Sequence, residues 1–206
     1  ASFRFPLLVC LASGGHTQLI YMKDNLSFEI IANTVDDACG ESFDKVARML
    51  GLEYPGGPHI EKMAKEGSPS IKLPHPIKHK PEAFSFSGLK TSVLRYVQEH
   101  DQKFLTDNIK DICASVETAI VDILIDKSKL ALKQTGIDKL VVCGGVSANR
   151  YLREQMEKQT QFKSYFPNFS LCTDNGAMIA GAAQNRFNQN KLDLSLHSVT
   201  PSLPLA

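Results

Sequence analysis

Two glycine pairs carry the chemistry that this sequence offers most directly. In Leu140-Val141-Val142-Cys143-Gly144-Gly145-Val146-Ser147-Ala148-Asn149-Arg150, an apolar strand-like run enters a double-glycine turn. Ser147 is then placed to cap a helix running through Arg153 and Met156. Such a junction presents backbone N–H groups and a helix N-terminus to one point, which suits a phosphate or a ribose. It is equally the ordinary glycine turn of an α/β protein. Ser13-Gly14-Gly15-His16-Thr17-Gln18 is a second candidate cradle, otherwise a glycine-rich hairpin turn. Three carboxylates stand near such turns. Asp44 flanks an apolar helical face, where it can meet a ligand hydroxyl or pair with Lys45 or Arg48. Glu61 lies in the first turn of a helix that follows Tyr54-Pro55-Gly56-Gly57-Pro58. Asp174 sits at the end of a short strand, where α/β proteins place ligand and metal chemistry, or else it caps the next helix.

The elements that must position these residues follow from periodicity. Phe5–Ala12, Leu19–Lys23 and Phe28–Val35 read as strands, with a turn at Asp24-Asn25. Asp36 opens helical territory, and Phe43, Val46, Ala47 and Leu50 share one face before Gly51 stops the helix. A short helix is expected over His59–Glu66 with Pro58 at its start. Phe84–Thr91 leads into a helix reaching about His100. A long helix is expected over Thr106–Gln134, with Ile109, Ile112, Val116, Ile120, Ile123, Lys127 and Leu130 on one face and Gly136 as its stop. Phe169–Cys172 reads as a strand. Ala177–Arg186 reads as a small-residue helix able to pack close to a neighbour, and the last twelve residues read as a loose tail.

Composition narrows the function classes. With 206 residues, 43% apolar content and a net charge of +1, the chain can build a core but has no global basic field for nucleic acid. No apolar run is long enough for a membrane helix. The five cysteines, Cys10, Cys39, Cys113, Cys143 and Cys172, are scattered and read as reduced core thiols of an intracellular protein. Ser68–Pro81 is a basic, proline-rich loop, and its Lys72, Lys78 and Lys80 are either solvated or in reach of phosphates. His75 and His79 have HxxxH spacing, but that spacing aligns ligands only on a helix, and Pro74, Pro76 and Pro81 forbid one. The sequence also lacks the HExxH signature expected of a zinc peptidase.

Six motifs in order, Ser13–Gln18, Gly40–Lys45, Tyr54–Pro58, Phe84–Thr91, Gly144–Asn149 and Cys172–Gly176, give the chain a specific resemblance. It resembles the tRNA threonylcarbamoyladenosine synthase family, bacterial TsaD and Kae-type proteins, formerly called O-sialoglycoprotein endopeptidase or glycoprotease. His16 makes the bacterial form the nearer one. The resemblance implies an α/β fold of the actin/Hsp70/sugar-kinase (RNase H-like) type, here a C-terminal lobe with a helical insertion. Its implied parts are opening strands over 1–35, an insertion with the long helix over 36–136, and the remaining α/β portion over 137–206, with the N-terminal lobe absent. It implies transfer of threonylcarbamoyl from threonylcarbamoyl-AMP to N6 of adenosine 37 in tRNAs that read codons beginning with A. Leu11, Ala12, Ser13, Gly14 and Gly15 would line the phosphate and acyl side. Asp44, Gly57 and Glu61 would hold the adenosine end, Asn149 would contact the ligand, and Asp174 would bind a divalent metal, iron or zinc. Implied partners are tRNA and, for a bacterial protein, a TsaB-like paralogue and a TsaE-like ATPase. An organellar protein would be a possible homodimer in mitochondrion or plastid; otherwise the location is cytoplasmic. Because Asp174 stands alone, the chain is expected to hold the metal poorly and to be inactive by itself. A non-catalytic nucleotide-binding lobe is the alternative, and a metallopeptidase a more distant one.

Overall fold

The computed structural model describes residues 4–189. The tail expected over the last residues lies outside them. Strands β1 (Leu7–Ala12), β2 (Thr17–Met22) and β3 (Phe28–Thr34) form an antiparallel meander. The Asp24 carboxylate makes the second turn by accepting from the Leu26 and Ser27 amides at 2.8 and 2.9 Å. Helices α1 (Cys39–Met49) and α2 (Gly56–Ala64) follow, then β4 (Ala83–Phe84), α3 (Ser87–Gln98), α4 (Gln102–Asp107) and α5 (Ile109–Thr135). The chain closes with β5 (Lys139–Cys143), α6 (Arg150–Glu157), β6 (Lys163–Tyr165) and α7 (Gly176–Asn188). One six-stranded sheet runs β4-β3-β2-β1-β5-β6, with β5 parallel to both β1 and β6.

Alternation along the strands assigns the two faces of the sheet. Leu8, Cys10 and Ala12 of β1, with Leu140 and Val142 of β5, enter the main core against α1 and α5. Leu7, Val9 and Ile20 form a smaller cluster with Val141 and Cys143 on the other face. Helix α5 is buried more widely than one stripe, and Gly136 ends it in the left-handed conformation at φ 69°. Lys127 lies on its expected apolar face and is 1% exposed. Its Nζ donates to the Ile77 carbonyl at 2.8 Å and to the Lys80 carbonyl, so a buried charge pins the 68–82 loop to the core. His75 points to Asp126 at 3.5 Å, away from any role with His79 as a metal pair.

Several boundaries differ from expectation, each for a local reason. Asp101 accepts from the Phe104 amide at 2.8 Å and starts α4 as a separate helix, so the long helix begins only at Ile109. Ser147 does not cap a helix. It is buried in a 3-10 turn over Gly145–Ala148, and the carboxamide of Asn149 caps α6 instead, accepting from Leu152 at 2.7 Å. Helix α2 starts early because the Asp44 carboxylate accepts from the Gly56 amide at 2.7 Å, which places Glu61 in the second turn. Phe169–Leu171 is a 3-10 turn with both aromatic and leucine side chains exposed; the edge beside β5 is taken by Lys163–Tyr165. Asn175, rather than Asp174, caps α7, and α7 has no buried residue, so the close packing expected of its small residues has no partner among the described residues.

The expected helical territory from Asp36 is a clamp before α1. Asp36 accepts from the Ser85 and Ser87 hydroxyls at 2.5 and 2.7 Å and from the Phe86 amide at 2.8 Å. Asp37 binds Lys45 at 2.6 Å and Lys90 at 2.8 Å. Burial opposes ionisation of both, and these donors outweigh it, holding both carboxyls below the usual aspartate range. The Phe84–Thr91 motif therefore serves to tie α3 to the end of β3. All five cysteines are free. Burial pushes the Cys39 and Cys113 thiols up, to about 11 and about 12, as befits inert core thiols. Among the described residues, no helix is long and apolar enough to cross a membrane.

Candidate functional site

The two glycine turns meet because β1 and β5 are parallel neighbours, Leu11 pairing with Cys143. Their carboxyl ends therefore deliver both turns to the same sheet edge, the position α/β folds use for ligands. Gly144, at φ 89°, has room for no side chain: a Cβ there would collide with the Ala12 carbonyl. Ser13 organises the first turn by accepting from the Gly15 and His16 amides at 3.3 and 3.0 Å. Those two amides are thus engaged internally rather than bare. The Gly40 amide reaches the Ser13 carbonyl at 3.1 Å, and Cys39 reaches Thr17 Oγ1 at 2.8 Å, so α1 is seated directly on this turn.

A cavity of about 310 Å³ opens between the turns, α1 and α2. Its wall brings together Gly14, Asp44, Gly57, Glu61 and Asn149, with Phe43, Tyr54, Pro58 and Val146 as apolar lining. Leu11 and Ala12, which end β1, and Ser13 and Gly15, which belong to the turn after it, are not on the wall. Asp44 commits Oδ1 to Gly56 and so presents one oxygen for another donor. Glu61 Oε1 lies 3.3 Å from the Arg150 amide and 3.9 Å from Lys65 Nζ. Asn149 is only 8% exposed, and its carboxamide is used on both sides: Oδ1 on Leu152, Nδ2 donating to Glu117 Oε1 at 2.6 Å. Two carboxylates, close-approach glycines and an apolar slot can take a nucleoside, with the acids accepting from hydroxyls and the ring lying on Phe43, Tyr54 or Pro58.

Sequence reasoning missed Glu117. It is 5% exposed on α5, and burial pushes its carboxyl up to about 7, against the lowering effect of Asn149. The available signal was weak: Glu117 is one of two acids, with Asp122, inside the apolar stretch Val116 to Ile125 of the long helix. Asp174 is exposed beside Thr173, which reaches the cavity wall. No group of three or more His, Cys, Asp or Glu side chains among the described residues is arranged to hold a metal. These residues alone therefore do not fit a tightly bound iron or zinc, which requires about three or four protein ligands.

The family model for TsaD, tRNA N6-adenosine threonylcarbamoyltransferase, matches residues 1–181. The chain belongs to this family. Among curated relatives carrying that name, the protein of Christiangramia forsetii is 47% identical over 203 residues, covering 95% of this chain and 59% of the relative. The Geobacillus kaustophilus protein is 44% identical, covering 100% of this chain and 61% of the relative. This TsaD-family chain thus spans about 60% of the length of those relatives. Among solved structures, full-length HypF in a phosphate- and nucleotide-bound form superposes with a TM-score of 0.70 at 16% identity, covering 93% of this chain and 41% of HypF. The HypF of T. kodakarensis gives 0.66 at 14% identity, covering 88% and 34%. At such identities the likeness concerns the fold alone, and it agrees with the α/β fold that the family resemblance implied.

Proposed function

We propose that the cavity is the adenosine-binding half of an active site that transfers threonylcarbamoyl from threonylcarbamoyl-AMP to N6 of adenosine 37 in tRNA. The observation that carries this reading is the convergence of Asp44, Gly57, Glu61, Asn149 and Gly14 on one 310 Å³ space. Asp44 and Glu61 accept from ribose hydroxyls; Gly14 and Gly145 let the anionic acyl phosphate approach the backbone. In this reading residues 36–136, which also lend β4 to the sheet, form the helical insertion between the opening part of the lobe, 1–35, and its remainder, 137–206. A metal would supply charge at the transferred carbonyl. Asp174 would contribute one ligand to it, the others coming from outside the described residues. The acceptor is tRNA, met together with a TsaB-like paralogue and a TsaE-like ATPase in a bacterial cell, or by a homodimer in an organelle.

One observation favours a second reading, a nucleotide-binding lobe without catalysis: the lone Asp174. A pair of assays tests the nucleotide cavity, which both readings share, and the divided metal site. Calorimetry with AMP tests the cavity, and mass spectrometry of digested tRNA after incubation with threonylcarbamoyl-AMP tests transfer. The expected result is AMP binding with no modified adenosine from this chain alone. Transfer at the rate of a full-length relative would overturn the divided metal site, and absence of AMP binding at millimolar concentration would overturn the nucleotide reading.

A further inference from the structure

Behind the nucleoside cavity lies a second one of about 370 Å³, between α2, α5 and α6. Glu61 belongs to the walls of both, and Glu117 faces only the second. Besides Glu61, a second polar link joins the two spaces. Asn149 stands on the first wall and donates to Glu117 Oε1 at 2.6 Å across 32 residues of sequence. Its other atom, Oδ1, holds the Leu152 amide at 2.7 Å and so fixes the first turn of α6.

We infer that Glu117 is a positioning residue for the nucleoside cavity, anchoring Asn149 from behind so that the Asn149 amide and the α6 N-terminus keep one orientation toward the ligand. The inference rests on the nucleotide reading above. A carboxamide can flip or rotate unless both ends are held, and the α6 amide holds only the oxygen. Removing Glu117 frees the nitrogen, and the side chain then has several states where it had one. An ionised acceptor grips the amide more strongly than a neutral one. The anchor therefore tightens as Glu117 loses its proton, in the range set by burial near pH 7. The charged and titratable groups facing it are Glu61 and Lys65 from α2, Arg150, Tyr151 and Glu154 from α6, and Cys113 from α5 itself.

The test uses the whole chain and adenosine, a probe with no group of its own titrating between pH 6 and 8. In nuclear magnetic resonance spectra without ligand, the Asn149 side-chain amide should move with pH, with a midpoint near 7 in the wild type and no movement in Glu117→Gln. Wild-type affinity for adenosine should rise about 5-fold from pH 6 to pH 8, Glu117→Gln should be flat, and Glu117→Leu should bind about 5-fold or more weaker at pH 8. A pH-independent Asn149 amide in the wild type, or wild-type affinity in Glu117→Leu, overturns the inference. A titrating Asn149 amide in a protein that does not bind adenosine sustains the anchor and sinks the nucleotide reading instead.

Discussion

Asp44 offers a way to separate what the carboxylate does for the fold from what it does for a ligand. Its Oδ1 accepts from the Gly56 amide at 2.7 Å, at the start of α2. A charge-assisted bond there contributes about 1.5–3 kcal/mol, helped by about 0.3–1 kcal/mol from the helix N-terminus. Asp44→Ala removes both and should destabilise the chain by about 2 kcal/mol, a fall in Tm of about 4–8 °C for a protein of this size. Asp44→Asn keeps an oxygen on Gly56 and should cost under about 1 kcal/mol. Toward the cavity the order of damage differs. Either variant loses the anionic acceptor for a ribose hydroxyl, and adenosine should bind about 10-fold more weakly to both. Comparing adenosine with its 2′-deoxy and 3′-deoxy forms closes a cycle. If Asp44 holds one hydroxyl, deleting that hydroxyl weakens binding to wild type and changes little for Asp44→Asn. Thermal melts and calorimetry on the three proteins suffice. Wild-type adenosine affinity in Asp44→Asn, or an unchanged deoxy penalty in that variant, would refute the ribose assignment; an unshifted melt in Asp44→Ala would refute the capping.

The glycines of the cavity should divide into two kinds. A Cβ on Gly40 would lie 2.7 Å from the Ser13 carbonyl oxygen and 2.8 Å from the Gly14 nitrogen, backbone atoms that cannot swing aside. Gly40→Ala should therefore cost about 1–3 kcal/mol in urea unfolding, whereas Gly57→Ala, with nothing within 4 Å of its Cβ, should not destabilise the chain. Equal stability of the two variants would contradict the seating of α1 on the Ser13 turn. Glu117 also predicts a pH dependence of stability. Its folded pKa, about 7, is raised above the usual 4.5, so its contribution is intact below pH 4.5 and is lost as pH rises through 7. The loss is on the order of 2–3 kcal/mol at pH 8, and Glu117→Gln should escape it. Parallel urea curves at pH 5 and 8 for the two proteins check this, and an identical pH response in both would count against the buried acid.

Elements whose signal is local were legible in the sequence. β1 and β5 follow from their apolar runs, α1 from Phe43, Val46 and Ala47, and the end of α5 from Gly136. Elements whose cause is distant were not. β4 has two residues and exists because Asn33 and Thr34 pair with Ala83 and Phe84. The early start of α2 depends on a carboxylate twelve residues upstream. Phe169-Ser170-Leu171 alternates like a strand, yet both apolar side chains are exposed, so the alternation had no buried face behind it. The division of α4 from α5 is a different case: Asp101 is an ordinary capping residue, but the apolar face that announces the long helix begins only at Ile109 and carries no sign of the short helix before it.

The candidate site was legible as a set of turns and illegible as a network. Each glycine turn reads alone as a turn; only the parallel pairing of β1 with β5 makes them face one another. Asn149 reads as a ligand contact, while its carboxamide is occupied by Leu152 and by a glutamate one helix away. The resulting site is uneven. Asp44, Gly57, Glu61 and Asn149 form a lined cavity, but Asp174 stands exposed at the head of α7, whose Met178, Ile179 and Phe187 are exposed as well. On the proposed function, a site built this way would bind with one end and leave the other to be completed. Adenosine affinity, read by calorimetry, should then respond unevenly to substitution: changes at Asp44 and Glu117 weaken binding, and changes at Asp174 spare it.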